Sequence, residues 1–106
     1  MQYVYPAVFY AANEGGYYVE FPDVQGAVTQ GETLFEAMEM AEDALNGMLA
    51  AWEVHKANGE VLNNKITEPT PIEKVVAEPD EFSTSAFVTL IKADTDAYRK
   101  ELAGVK

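Results

Sequence analysis

"GGYYVEFPDVQGAVTQGETLFEA", residues 15–37, packs a turn, two short strands, a second turn and the opening of a helix into 23 positions. The paired glycines supply positive φ for a tight hairpin turn. In "YYVEFPD" the side chains alternate, with Tyr17, Val19 and Phe21 on one face and Tyr18 and Glu20 on the other. Pro22 ends that strand, "VQG" turns the chain, and "AVTQ" (residues 27–30) reads as a third strand. "GETLFEA" then places Thr33 three residues before Glu36, a capping box that satisfies orphan amide donors at a helix start.

Outward from this stretch, "YVYPAVFYAA" (residues 3–12) is β-branched, aromatic and apolar on both faces, the pattern of a central strand. Pro6 cannot donate to a ladder, so it is expected near the strand's start or opposite a gap. Downstream, Leu34, Met38, Ala41, Leu45, Met48, Leu49 and Trp52 recur at spacings of three and four, while Glu36, Glu39, Glu42, Asp43 and Asn46 fall mainly on other faces. The spacing predicts one helix over residues 33–57, acidic side outward, with a stop at "ANG". Residues 63–82 carry three prolines and read as an extended connection, with short strand character at "EKVVA". "SAFVTLIKAD" (residues 85–94) is the last strong strand, able to return parallel to an earlier one, and "DAYRKELA" has a helical tendency.

At 106 residues the chain is expected to be one domain with one core. It divides into a hairpin, third strand and long helix (1–62), a proline-containing connection (63–82), a last strand (83–93) and a helical tail (94–106). The absence of cysteine removes disulfides and thiolate metal sites, and fits a reducing cytoplasm. No apolar run approaches the roughly 18 to 20 residues of a membrane span, and "MQYVYPAVFY" lacks the features of a signal peptide. A cytoplasmic location is the expectation.

The net charge is −11, and it is uneven. Residues 1–62 hold Glu14, Glu20, Asp23, Glu32, Glu36, Glu39, Glu42, Asp43, Glu53 and Glu60 against the single base Lys56. Such a field repels phosphate backbones and favours a basic partner. The same acids also serve solubility.

Catalytic patterns are weak. A metal-dependent nuclease needs several carboxylates converging on divalent ions, and the first strand supplies none; Glu20 and Asp23 suit a hairpin face and a turn. His55, the single histidine, lies near a helix end with no positioned partner in sequence. Ser83, Thr84 and Ser85 lack an accompanying histidine and acid, and the glycines at 15, 16, 26 and 31 form no phosphate loop. Trp52 and Met48 fit helix packing better than a cofactor pocket. No catalytic residue, metal site or cofactor is expected, and the chain is read as a non-enzyme.

The run "YPAVFYAANEGGYYVEFPDVQGAVTQGETLFEAMEMAEDAL" (residues 5–45) closely resembles the N-terminal domain of the HicB antitoxin family, and "SAFVTLIKADTDAYRKEL" (residues 85–102) resembles its closing strand and tail. The resemblance implies a partly degenerate ribonuclease H-like fold, α+β or α/β, with β-β-β-α-β order, one long helix on the sheet and a short C-terminal helix. It also implies a function: neutralising a small basic HicA toxin, a messenger-RNA-cleaving ribonuclease with a catalytic histidine, by masking its active site. Many family members continue into an operator-binding module. The chain stops at Lys106, so no direct DNA binding is expected of it. Tyr17, Tyr18, Glu20, Asp23, Glu32, Glu36, Glu39 and Asp43 are the expected toxin-binding residues, an acidic rim beside exposed tyrosines. A homo-oligomer, a dimer, is expected from the sheet edges. The alternative is a non-catalytic, HicB-like oligomeric scaffold or protein-binding domain without a cognate toxin.

Overall fold

The computed structural model describes residues 1–61 and 63–104, so residue 62 and the last two positions of the expected tail lie outside the described residues. Strands β1 (Gln2–Ala12), β2 (Tyr17–Glu20) and β3 (Val28–Gly31) precede helix α1 (Leu34–Ala57), strand β4 (Ser83–Asp94) and helix α2 (Thr95–Leu102). They form one four-stranded sheet in the order β3-β2-β1-β4, an α+β architecture of the expected element order.

Gly15 and Gly16, at φ of 98° and 77°, turn β1 into β2. Register is then fixed by pairs such as Phe9–Val19 and Tyr10–Tyr18. β2 reaches only residues 8–11 of β1. Pro6 therefore lies in a stretch of β1 that pairs with β4 alone, beside the gap a residue without an N–H requires. β4 runs antiparallel to β1 over its whole length, not parallel to a neighbour as the crossover reading allowed. The reason is the connection: after α1 the chain passes through residues 58–82 before re-entering the sheet, and is free to reverse.

The helix lies on the face carrying Tyr5, Ala7, Phe9, Val19, Phe21, Ile91 and Ala93. It meets them with Ala37, Ala41, Leu45 and Leu49, all fully buried. Leu34 and Met38, expected in this stripe, are 41% and 42% exposed. The helix is rotated because Gly31 touches it: a Cβ built on Gly31 would stand 2.5 Å from the Ala37 amide nitrogen and 2.7 Å from its Cα. Two small residues meet there, and bulkier neighbours turn outward. The rotation also buries Asn46, expected on an outer face, whose amide donates to the Glu42 carbonyl at 3.0 Å.

Thr33 caps α1, its Oγ1 accepting from the Glu36 amide at 3.1 Å. The reciprocal bond is displaced by one residue, since Glu36 Oε1 accepts from the Glu32 amide at 3.2 Å. The helix runs unbroken to Ala57, with Lys56 Nζ 4.9 Å above the Trp52 ring and His55 Nδ1 against the Ala51 carbonyl at 2.8 Å. His55 thus has a helix-terminal structural role.

Residues 63–82 contain no strand among the described residues; the expected strand at "EKVVA" is instead a 3-10 turn at Ile72–Lys74 and extended chain. Pro6 and Val8 are fully buried although Val8 stands on the face opposite α1. Since Tyr18, on that same face, reaches Asp80, the connection crosses and covers this side of the sheet. α2 packs on α1 through Glu53. That carboxylate accepts from the Tyr3 hydroxyl, from Thr95 Oγ1 at 2.9 Å and from Arg99 Nη1 at 2.9 Å, while Arg99 also donates to the Ala50 carbonyl.

Candidate protein-docking surface

Each expected site residue can now be located. Tyr17, Tyr18, Glu32 and Glu36 come together: they line a groove of 670 Å³ between the hairpin turn and the start of α1, with Glu14, Gln30 and Met40. Its shape follows from the glycines. Gly16 has positive φ and would bring a Cβ to 2.9 Å from the Gly31 carbonyl, so hairpin and third strand close up only with glycine there. Glu14, counted among the acids but not among the expected site residues, lies in a turn next to two glycines, a place that marks it as solvent-facing.

Tyr17 is half-buried and packs against the core, so only part of its ring is offered to the groove. Tyr18 stacks on Tyr10, with ring centroids 4.7 Å apart and planes 11° from parallel. Both phenols are engaged: Tyr10 donates to Glu20 Oε1 at 2.7 Å, and Tyr18 donates to Asp80 at 2.7 Å. The Tyr18 hydroxyl holds the Asp80 carboxyl below its ordinary range. Burial, together with the nearby Glu20 carboxylate, pushes the Tyr10 phenol well above its own. The result is a rigid aromatic-carboxylate rung at the rim of the groove. Tyr10 and Asp80 were not anticipated, because only the register and the returning connection bring them to Tyr18.

Asp23 departs from the expected rim. It is 8% exposed, and its carboxylate accepts from the Thr70 amide at 2.8 Å and the Thr70 hydroxyl at 2.6 Å. It fastens the connection to the end of the hairpin and presents no free charge. Glu20 is exposed on the sheet face away from α1, next to the rung. Glu39 and Asp43 are exposed on α1, and Glu39 borders a second groove with Phe35 and Met38. They do not join the first.

Among the described residues no group of three or more histidine, aspartate or glutamate side chains is placed to hold a metal ion. The side chains of β1 that face α1 include Tyr3, Tyr5, Ala7 and Phe9. Among the same residues no helix is long and apolar enough to cross a membrane.

The fold is a small α+β domain with an open groove lined by Glu14, Glu32 and Glu36 beside half-buried tyrosines. The chain belongs to the HicB-like antitoxin family of bacterial toxin-antitoxin systems, whose family profile matches residues 5–105. It is 44% identical over 68 residues to Antitoxin HicB 1 of Photorhabdus laumondii, covering 64% of this chain and 39% of that protein. It is 47% identical over 58 residues to Antitoxin HicB of Escherichia coli K12, covering 55% and 40%. The chain thus spans about two-fifths of the length of these relatives.

The fold is shared with a toxin-antitoxin complex from Streptococcus pneumoniae (TM-score 0.65, 24% identity, 92% of this chain and 73% of that one). It is shared also with the N-terminal domain of Burkholderia pseudomallei antitoxin HicB (TM-score 0.61, 24% identity, 87% and 99%). A third likeness is to a chain of the HicA3 and HicB3 toxin-antitoxin complex (TM-score 0.59, 20% identity, 87% and 99%).

Proposed function

We propose that this chain is the neutralising domain of a type II toxin-antitoxin pair, and that it inhibits a HicA-like messenger-RNA-cleaving toxin by binding over the toxin's active site. The observation that carries the reading is the open groove at the hairpin, where Glu14, Glu32 and Glu36 stand around Tyr17 and Tyr18 in a chain of net charge −11. A ribonuclease must attract RNA phosphate with basic residues, and an acidic surface competes for those same residues. The tyrosines add contact area at low entropy cost. Glu20 and the outer helix acids Glu39 and Asp43 extend the field and steer encounter. The mechanism is masking: no bond is made or broken by this chain, and it acts in the cytoplasm with its toxin.

Membership of an antitoxin family supports the reading, as does the likeness in fold to chains of two toxin-antitoxin complexes. The test is calorimetric titration of the product of the adjacent reading frame with this chain at two salt concentrations. Binding that weakens with salt, and weakens further when Glu14 and Glu32 are both changed to lysine, is expected. Tight binding indifferent to both would place the interface elsewhere. No binding would favour the scaffold reading.

A further inference from the structure

Helix α2 is attached to the rest of the molecule with little apolar burial. Of its eight residues only Thr95, the first, is buried. Thr95 is tied down, its amide donating to the Met1 carbonyl at 3.0 Å and its hydroxyl to Glu53 Oε1 at 2.9 Å. Beyond it Asp96, Ala97, Lys100, Glu101 and Leu102 are exposed. Asp96 pairs with the Met1 amine at 2.9 Å, but both groups stand in solvent, where such a pair contributes little. Past Thr95, Tyr98 and Arg99 are the half-buried residues, and both reach α1. The Tyr98 hydroxyl lies 3.3 Å from where a Cβ on Gly47 would stand, so the bare backbone of Gly47 makes its seat. Arg99 forks: Nη1 lies 2.9 Å from Glu53 Oε1, and Nη2 donates to the Ala50 carbonyl at 3.0 Å.

We propose that α2 is a reversible strap: it pivots at Thr95, leaves α1 and unwinds while the sheet and α1 stay folded, and the Arg99 fork sets how often it does so. Eight residues are too few for a helix to persist without tertiary support, so release and unwinding are one event. The Arg99 side chain is 38% exposed, which screens its charge, and none of the buried core residues belongs to α2. The sheet and α1 share that core, so opening it costs far more than opening the strap. Release also changes the surface. Ala97 walls a 540 Å³ groove with Tyr3, Glu42 and Lys92, and this groove widens when α2 leaves.

This inference does not rest on the toxin reading. The test is native-state hydrogen exchange of the whole chain at low urea concentrations, followed by NMR, in the wild type, Arg99→Ala, Arg99→Lys and the core variant Ile91→Val. Alanine is the better helix former, so protection lost in Arg99→Ala reports a lost grip on α1 and not a weaker helix. Lysine keeps the charge but replaces the planar fork with a point charge. Ile91→Val weakens the core, which the seated and released states share.

In the wild type the amides of Arg99, Lys100, Glu101 and Leu102 are expected to be protected, yet to exchange together, at least roughly a hundredfold faster than those of Leu45 and Leu49 and with little dependence on urea. Arg99→Ala should speed α2 exchange roughly tenfold, with Arg99→Lys between. Ile91→Val should speed exchange at Leu45 and Leu49 roughly fivefold and leave α2 unchanged. Equal exchange of α2 and core amides, or free-chain exchange of α2 in the wild type, would overturn the strap. So would unaltered α2 exchange in Arg99→Ala, or α2 exchange that rises with the core in Ile91→Val.

Discussion

Thr70 donates both its backbone amide and its hydroxyl to the carboxylate of Asp23, at 2.8 and 2.6 Å, across 47 positions of sequence. With the Thr67 amide on the Asp23 carbonyl at 2.9 Å, this clasp fixes where the connection leaves the hairpin and crosses the sheet. Asp23→Ala strands two donors and is expected to cost about 2–3 kcal/mol. Urea denaturation measures it. Under the proposed function, the residual folded protein should still bind its toxin, because the carboxylate faces inward.

Gly31→Ala tests the helix seat. Its new Cβ would meet backbone atoms of Ala37 and Glu36, which cannot move without lifting α1 from the sheet. A loss of about 1–3 kcal/mol is expected, in the range of overpacked cores. Thermal unfolding followed by circular dichroism reads it, and an unchanged midpoint would refute the close contact.

Stability should fall in acid through Glu53, Asp80 and Asp94. Burial opposes ionisation of Glu53, but hydrogen bonds from Tyr3, Thr95 and Arg99 outweigh it and hold its carboxyl below the ordinary value. The Tyr18 hydroxyl does the same for Asp80, and the capped Ala97 amide for Asp94. Groups depressed in the folded state contribute stability that is present above their unfolded value and lost as pH falls through the folded one. Denaturation midpoints should therefore drop as pH falls below about 4.5, and Glu53→Gln should flatten part of that decline. At the alkaline end the signs reverse. Burial raises Tyr3 and Tyr10, so the stability they contribute is present below an ordinary phenol's value, about 10, and is lost as pH rises through their folded values.

The local chemistry of the chain was legible where neighbours in sequence are neighbours in space. Thr33 and Glu36 announce the helix start, and Gly15 and Gly16 the hairpin, because caps and tight turns are short-range devices. The face α1 turns to the sheet was not legible. Periodicity favours Leu34 and Met38 over Ala37, and only the approach of Gly31 reverses the choice. Nor did Asp23 betray its partner, since an acid after proline reads equally as a turn or a rim. The groove was half visible: Tyr17, Tyr18, Glu32 and Glu36 were anticipated, whereas the Tyr10 and Asp80 supports come from β register and a connection returning 62 residues later.

Charge reversal addresses the proposed docking surface directly. Glu14 and Glu32 are exposed, and changing both to lysine should leave the fold intact while slowing toxin association roughly tenfold at low salt. The difference should shrink as salt screens the field. Stopped-flow association rates provide the comparison.

The most direct measurement is ribonuclease activity of the HicA-like toxin on single-stranded RNA, titrated with this chain. The account predicts that cleavage falls linearly to zero at a fixed stoichiometric ratio, with or without divalent metal. Undiminished cleavage at excess antitoxin, or RNA cleavage by this chain alone, would contradict it.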